Sequence, residues 1–249
     1  MPSMRERSLA VFPAGSNGEF NLPPELAMVI AGGEGCRLTD TDGNDYLDFS
    51  RGWGSVLVGH ARAEVADAVR RQAARGSNFA YITENALRVA EEIVRLSPAA
   101  DRVRFCASGT EATMYCQRLA RAFTNRPRIL KFEGAYHGAN ETGVTSLFPI
   151  EFKDFPEPDP TSAGIDVAER VLVAPFNDLE TTRAIIEAHA TEIAAVIVEP
   201  LQRCTPPRSG FLEGLRALTA AHGVLLIFDE VVTGFRLAYG GAQAYYGVI

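Results

Sequence analysis

Two periodicities divide the chain. On both sides of Thr41-Asp42-Gly43-Asn44, the stretch Gly35 to Phe49 alternates apolar and polar residues, and the Asp-Gly pair predicts a tight hairpin turn. From Ala61 the period lengthens: Val65, Ala68, Val69 and Gln72 recur at helical spacing, with Gly76 placed to end the helix. A second helix is predicted over about 84–96, with Leu87, Ala90, Ile93 and Val94 on one face and Pro98 as its stop. Beyond it, short apolar runs alternate with amphipathic stretches. Arg102–Cys106, Ile129–Phe132, Val171–Ala174, Ala194–Val198 and Val224–Phe228 read as buried strands, and Glu111–Phe123, Leu179–Ala190 and Leu212–His222 as helices between them. This alternation predicts an α/β fold, a mostly parallel sheet with helices on both faces and ligands beyond the carboxyl ends of the strands. The division expected is an N-terminal segment over 1–60, carrying the hairpin and part of a small lobe, and a large domain over 61–249. Four prolines, at 149, 156, 158 and 160, exclude regular structure from Phe148 to Gly164, which reads as a long surface loop.

Composition narrows the function classes. A formal charge of -7 argues against nucleic acid or an anionic membrane as partner, because both select a basic face. The four cysteines, Cys36, Cys106, Cys116 and Cys204, form neither a C-x-x-C pair nor a disulfide framework, so reduced thiols are expected and no metal site is proposed. No apolar stretch has the length of a signal peptide or a membrane span, which makes the cytoplasm the expected location.

Candidate chemistry collects where the predicted strands end. The run Val224–Phe228 leads into Asp229-Glu230, which could be the magnesium-binding strand of a P-loop ATPase only if a G-x-x-x-x-G-K-[ST] loop existed. The chain has none, since its two lysines, Lys131 and Lys153, follow Leu130 and Phe152. Ser108-Gly109-Thr110-Glu111 opens a predicted helix with capping-box spacing, and its free amides and hydroxyls suit a phosphate; an ordinary capped helix explains the same four residues more simply. Tyr136 and His137 between Gly134 and Gly138, and Glu199 with Gln202, follow two further strands, where turn or solvated-loop roles are the plainer alternatives.

Together these strand ends offer an anion cradle, an aromatic plate, an amide and a buried carboxylate, the parts that hold pyridoxal phosphate. The stretches Ser108-Gly109-Thr110-Glu111-Ala112-Thr113-Met114, Lys131-Phe132-Glu133-Gly134-Ala135-Tyr136-His137-Gly138 and Ile227-Phe228-Asp229-Glu230-Val231-Val232-Thr233-Gly234-Phe235-Arg236 resemble class III aminotransferases, most of all their glutamate-1-semialdehyde 2,1-aminomutase branch. The likeness extends from about Gly35 onward and includes Gly59-His60, Gly210 to Arg216 and Gly241 to Gly247. It implies the fold type I of pyridoxal-phosphate-dependent transferases and the cofactor pyridoxal 5'-phosphate. It implies a small amino donor with a keto or aldehyde acceptor, and a homodimer in the full-length form.

Carried over residue by residue, the resemblance gives Gly109 and Thr110 to the cofactor phosphate, beside Ser108 as a further cofactor-binding candidate, and Tyr136 and Val231 to the two faces of the ring. Gln202 goes to the ring hydroxyl and Asp229 to the ring nitrogen, with His137 and Glu199 in support and Trp53 near the substrate. A carboxylate at that nitrogen keeps it protonated, and the pyridinium draws off the electrons released when the substrate loses its α-proton. Two departures leave both amino transfer and the internal amino shift open: Gln202-Arg203-Cys204 stands where the aminomutases have a Gly-Asn segment, and the proline-rich loop differs from their gating loop. In the family a Schiff-base lysine follows soon after the Tyr-Gly stretch, whereas this sequence ends at Ile249 and neither Lys131 nor Lys153 matches it. Lys131, inside a predicted strand, is expected to snorkel to the surface. The expectation is therefore an amino-transferring chain that ends before that lysine. The alternative is an inactive remnant that binds cofactor or dimerises. A dinucleotide-binding oxidoreductase shares the fold class but requires a G-x-G-x-x-G turn that is missing after every predicted strand.

Overall fold

The computed structural model describes residues 2–16, 23, 26–150 and 154–249. It divides into two compact units, Met1–Ile82 and Thr83–Ile249. The boundary expected at 60/61 falls inside the first.

The first unit begins with helix α1 (Met4–Val11), closed by a reciprocal capping box between Ser3 and Glu6. Three antiparallel strands follow in the order β1-β2-β3: β1 (Ile30–Glu34), β2 (Arg37–Asp40) and β3 (Asp45–Leu47). The predicted hairpin is the β2–β3 pair, joined to a strand that the alternation did not reveal. Asp40 organises its turn by accepting from the amides of Asp42 and Asn44, the Asn44 side chain and the Tyr46 hydroxyl. Helix α2 (Ala63–Ala73) completes the unit.

The second unit contains α3 (Glu84–Leu96), capped by Thr83, and then the parallel sheet. Its strands are β4 (Arg128–Phe132), β5 (Val171–Ala174), β6 (Ile193–Val198) and β7 (Leu225–Phe228), in the order β5-β4-β6-β7. Strands β4, β5 and β6 are buried apart from Arg128, which fits their nearly unbroken apolar sequences. Successive residues serve opposite faces. Leu130, Phe132, Val196 and Val198 pack with α6 (Leu179–His189) and α7 (Phe211–Ala221), whereas Ile129, Ala195 and Ile197 pack with Ala120 of α4 (Gly109–Thr124). Helices thus cover both faces, as the alternation predicted.

Phe132, Phe176 and Phe211 meet edge to face, with ring centroids 5.2 to 5.9 Å apart, and fix the carboxyl end of β4. Strand order reverses between β4 and β6, which opens a crevice at their carboxyl ends. A short helix, α5 (Glu141–Val144), lies in the loop after β4, and α8 (Gly241–Tyr246) lies near the end of the chain.

One expected strand is corrected. Residues 102–106 form no strand, because no described strand lies alongside to complete a ladder, and Phe105 is half exposed. The proline-rich stretch 148–164 holds no helix or strand among its described residues, as expected. Buried Asp159 pins it: its carboxylate accepts from the amides of Ile150 and Thr161, and its own amide donates to the Ser146 hydroxyl. No helix among the described residues is long and apolar enough to cross a membrane.

Candidate active site

The crevice holds a cavity of about 190 Å³, lined by the start of α4 and by the segments that follow β4, β6 and β7. Ser108, Gly109, Thr110, Tyr136, His137, Glu199, Asp229 and Val231 all line it. Gln202 does not: its amide nitrogen donates to the Glu133 carbonyl at 2.7 Å, and its buried side-chain oxygen has no partner. Trp53 belongs to the first unit and is two-thirds exposed. Lys153 lies outside the described residues.

The first turn of α4 builds one wall. Ser108 is the cap, its hydroxyl accepting from the Glu111 amide at 3.2 Å. The Glu111 carboxylate reaches back to the Ala107 amide, one residue short of the reciprocal box that the spacing suggested. Gly109 and Thr110 line the cavity, and their amides, as the first of the helix, have no carbonyl one turn earlier to reach. Gly109 has to be small here, because a Cβ would lie 2.9 Å from a methyl of Val231. The start of α4 and the segment after β7 therefore pack against each other at the edge of the cavity that both line.

The loop after β4 closes the cavity from the other side. Gly138 has a φ of 98°, and a Cβ there would lie 2.6 Å from the Thr110 Cα, so helix and loop touch backbone to backbone. The Ala139 amide donates to the Thr110 hydroxyl at 3.1 Å, and the Thr113 hydroxyl donates to the His137 carbonyl at 2.6 Å. Thr113 is a lining residue that the sequence reading passed over, although its place one turn after Thr110 on the same helix was visible. Gly138, one of the glycines flanking Tyr136 and His137, lines the cavity too, as do Leu201, Val232 and Thr233, which the sequence did not single out.

Asp229 is held from two directions. Its Oδ2 lies 2.8 Å from Nδ1 of His137, and its Oδ1 accepts from the Val231 amide at 3.2 Å. His137 is fully enclosed, and its burial holds the imidazole below its ordinary pKa against the opposing pull of Asp229. A neutral ring that donates Nδ1–H to Asp229 satisfies both conditions and leaves Nε2, buried and unpartnered, as an acceptor. The neighbouring Glu230 has a different task. Its carboxylate accepts from the amides of Ala242 and Gln243 at the start of α8 and from the Thr233 hydroxyl.

Glu199 accepts from the Tyr136 amide, and its Oε2 is buried without a partner. Desolvation pushes its carboxyl up from 4.5 to about 7, with Arg203 opposing and Asp229 adding to the rise. The penalty is absent below the unfolded value, grows as pH rises from about 4.5 and is complete above about 7. Glu199→Gln is therefore expected to raise the unfolding free energy at pH 8 by about 3 kcal/mol and to leave it nearly unchanged at pH 4, as read from urea denaturation at the two pH values.

Lys131 corrects a further expectation. It is completely buried and does not snorkel; its ammonium donates to the carbonyls of Ala135, Gly143 and Thr145. Among the described residues no group of His, Cys, Asp and Glu could hold a metal ion.

Comparison with known proteins names the class to which this doubly covered parallel sheet and its crevice belong. The chain belongs to the class III aminotransferases, whose family profile matches residues 22–247. It is 42% identical to glutamate-1-semialdehyde 2,1-aminomutase 2 of Lysinibacillus sphaericus (strain C3-41), over 97% of this chain and 57% of that protein. In structure it is similar to an omega-transaminase from Sphaerobacter thermophilus, with a TM-score of 0.88, 36% identity, and 98% of this chain and 57% of that one covered. It is also similar to a transaminase solved with PLP bound, with a TM-score of 0.90, 30% identity, and coverage of 99% and 58%. The chain thus spans somewhat more than half the length of the relatives it matches.

Proposed function

We propose that this chain holds pyridoxal 5'-phosphate in the crevice and serves the transfer of an amino group between a small amino donor and a keto or aldehyde acceptor, in the manner of an aminotransferase or aminomutase. The observation that carries the reading is the placement of Asp229, fixed by His137, in the same cavity as the first turn of α4. The residues fit the group. The first amides of α4 suit a phosphate, and a carboxylate oxygen that accepts from the Val231 amide and lies in the same cavity suits a protonated ring nitrogen.

When bound, pyridoxal phosphate supplies an electron sink for the carbon that loses a proton. The chain's own residues hold and tune it. Gly109, Thr110 and the Ser108 hydroxyl bind the phosphate, Tyr136 and Val231 clamp the two ring faces, and Asp229 keeps the proton on the ring nitrogen. His137 orients Asp229 and, as a neutral ring, leaves its negative charge to that nitrogen. Glu199 supports the Tyr136 turn through the backbone, and Gln202, whose buried oxygen has no partner but which stands outside the cavity lining, is assigned to the ring hydroxyl. Trp53 is assigned to the substrate side, and the complete assembly to a homodimer.

A second reading, a cofactor-binding or dimerising module without turnover, is favoured by one observation: the three hydrogens of Lys131 are already committed to carbonyls, so it does not offer a free amine. Calorimetric titration of the purified chain with pyridoxamine 5'-phosphate tests the site. Saturable one-to-one binding that inorganic phosphate competes away is expected, and no binding would remove the cofactor reading. Incubation with pyridoxal phosphate and an amino donor separates the two functions, since steady turnover eliminates the module.

A further inference from the structure

We infer that Lys131 is a positioning residue of this cavity: its buried ammonium gathers the carbonyls of Ala135, Gly143 and Thr145 and so fixes the loop that presents Tyr136, His137 and Gly138. The inference rests on the cofactor reading above and adds a residue that touches neither the cofactor nor the cavity.

The geometry is that of a three-way tie. Residue 131 lies on the α4 side of β4, opposite Leu130 and Phe132, where an apolar side chain would be the ordinary occupant. An ammonium has three hydrogens, and each finds a different carbonyl, one on the outgoing leg of the loop and two on the returning leg around α5. Between those anchor points stand the three residues that form the loop side of the cavity. Other bonds align with the tie: the His137 amide donates to the Gly143 carbonyl at 3.2 Å, so Lys131 and His137 share that acceptor. The Gly143 amide in turn donates to Asn140.

No carboxylate pairs with Lys131 among the described residues. The charged or titratable groups that reach it are Glu199 beyond β6, which favours its proton, Arg203, which opposes it, and His137 in the loop itself. Burial pushes its pKa down to about 7. A buried cation held by backbone carbonyls without a paired carboxylate is costly, and removing it would leave three buried carbonyls to find new partners by moving the loop. The His137–Asp229 contact and the tilt of the Tyr136 ring would move with it. The first turn of α4, which receives the phosphate, lies outside the tie.

Those two halves of the cavity make the inference testable with Lys131→Met and Lys131→Gln. Pyridoxamine phosphate needs both halves, whereas inorganic phosphate needs only α4. Lys131→Met is expected to bind pyridoxamine phosphate at least about tenfold more weakly and inorganic phosphate as before, with Lys131→Gln, which keeps two donors, in between. Equal affinity of Lys131→Met and the wild type for pyridoxamine phosphate overturns the inference. Parallel loss of both ligands by a Lys131→Met variant that still folds shows that Lys131 does not act through the loop alone and overturns it equally. Failure of the wild type to bind pyridoxamine phosphate refutes the cofactor reading instead, and amide hydrogen exchange then judges Lys131 alone. Lys131→Met should lose about tenfold protection at His137, Val144 and Thr145 while Val196 and Ile197 of β6 keep theirs, and unchanged loop protection sinks the inference. If neither variant folds, the wild type decides. Above neutral pH the amine has two hydrogens for three carbonyls, so loop protection, corrected for intrinsic exchange, should fall relative to β6 between about pH 6 and about pH 9, and a flat profile refutes the tie.

Discussion

Asp229→Asn weakens pyridoxamine phosphate binding by roughly 10- to 100-fold, the largest loss expected from any single side chain of the cavity. The substitution keeps the shape of the side chain and removes its charge. A charge-assisted hydrogen bond in a dry site is worth about 1.5–3 kcal/mol, and that range converts to the stated loss. A second consequence follows from the pairing with His137, 2.8 Å away. An asparagine oxygen can still accept from Nδ1–H, so the imidazole keeps its tautomer and orientation while the ring nitrogen of the cofactor loses its counter-ion. The imidazole nitrogen shifts of His137 should therefore change little by NMR while the calorimetric affinity falls. If the two move together, His137 rather than the charge of Asp229 dominates the site.

Gly138→Ala carries the largest expected cost to the fold. The φ of 98° lies in a region that L-residues rarely enter, and the added methyl would lie 2.6 Å from the Thr110 Cα and 2.8 Å from its hydroxyl oxygen. Neither contact is with the far end of a flexible side chain. Backbone strain and overpacking together are expected to lower the unfolding free energy by about 2–4 kcal/mol. Gly143 faces the same constraint from the other leg of the loop, since a Cβ there would lie 2.3 Å from the Gly138 carbonyl. The measurement is the urea midpoint at unchanged slope. A variant of wild-type stability would mean that the loop is not pressed against α4.

Much of this architecture was legible in the sequence, because buried parallel strands are written as unbroken apolar runs and capped helices as Ser or Thr ahead of an amphipathic stretch. Eight of the ten candidate site residues line one cavity, for the same reason: in a parallel α/β sheet, segments that follow strands meet at one edge. What the sequence concealed depends on partners distant along the chain. Residues 102–106 have the composition of a strand, but a strand exists only beside another. Lys131 looked like a snorkelling side chain because its three acceptors lie 4, 12 and 14 residues further on, in a loop whose path nothing local announces. Asp229 and Glu230 are adjacent and alike in chemistry, yet one faces the cavity and the other closes the start of α8, a division that only the fold makes.

The central claim is that Asp229 and the first amides of α4 grip opposite ends of one cofactor. A crystal structure of the chain grown with pyridoxamine 5'-phosphate tests it most directly. The phosphate is expected on the amides of Gly109 and Thr110 and the ring nitrogen within hydrogen-bonding distance of the Asp229 carboxylate, with Tyr136 and Val231 on the two faces. A phosphate bound elsewhere, or a ring nitrogen turned to solvent with Asp229 still held only by His137 and the Val231 amide, would contradict it.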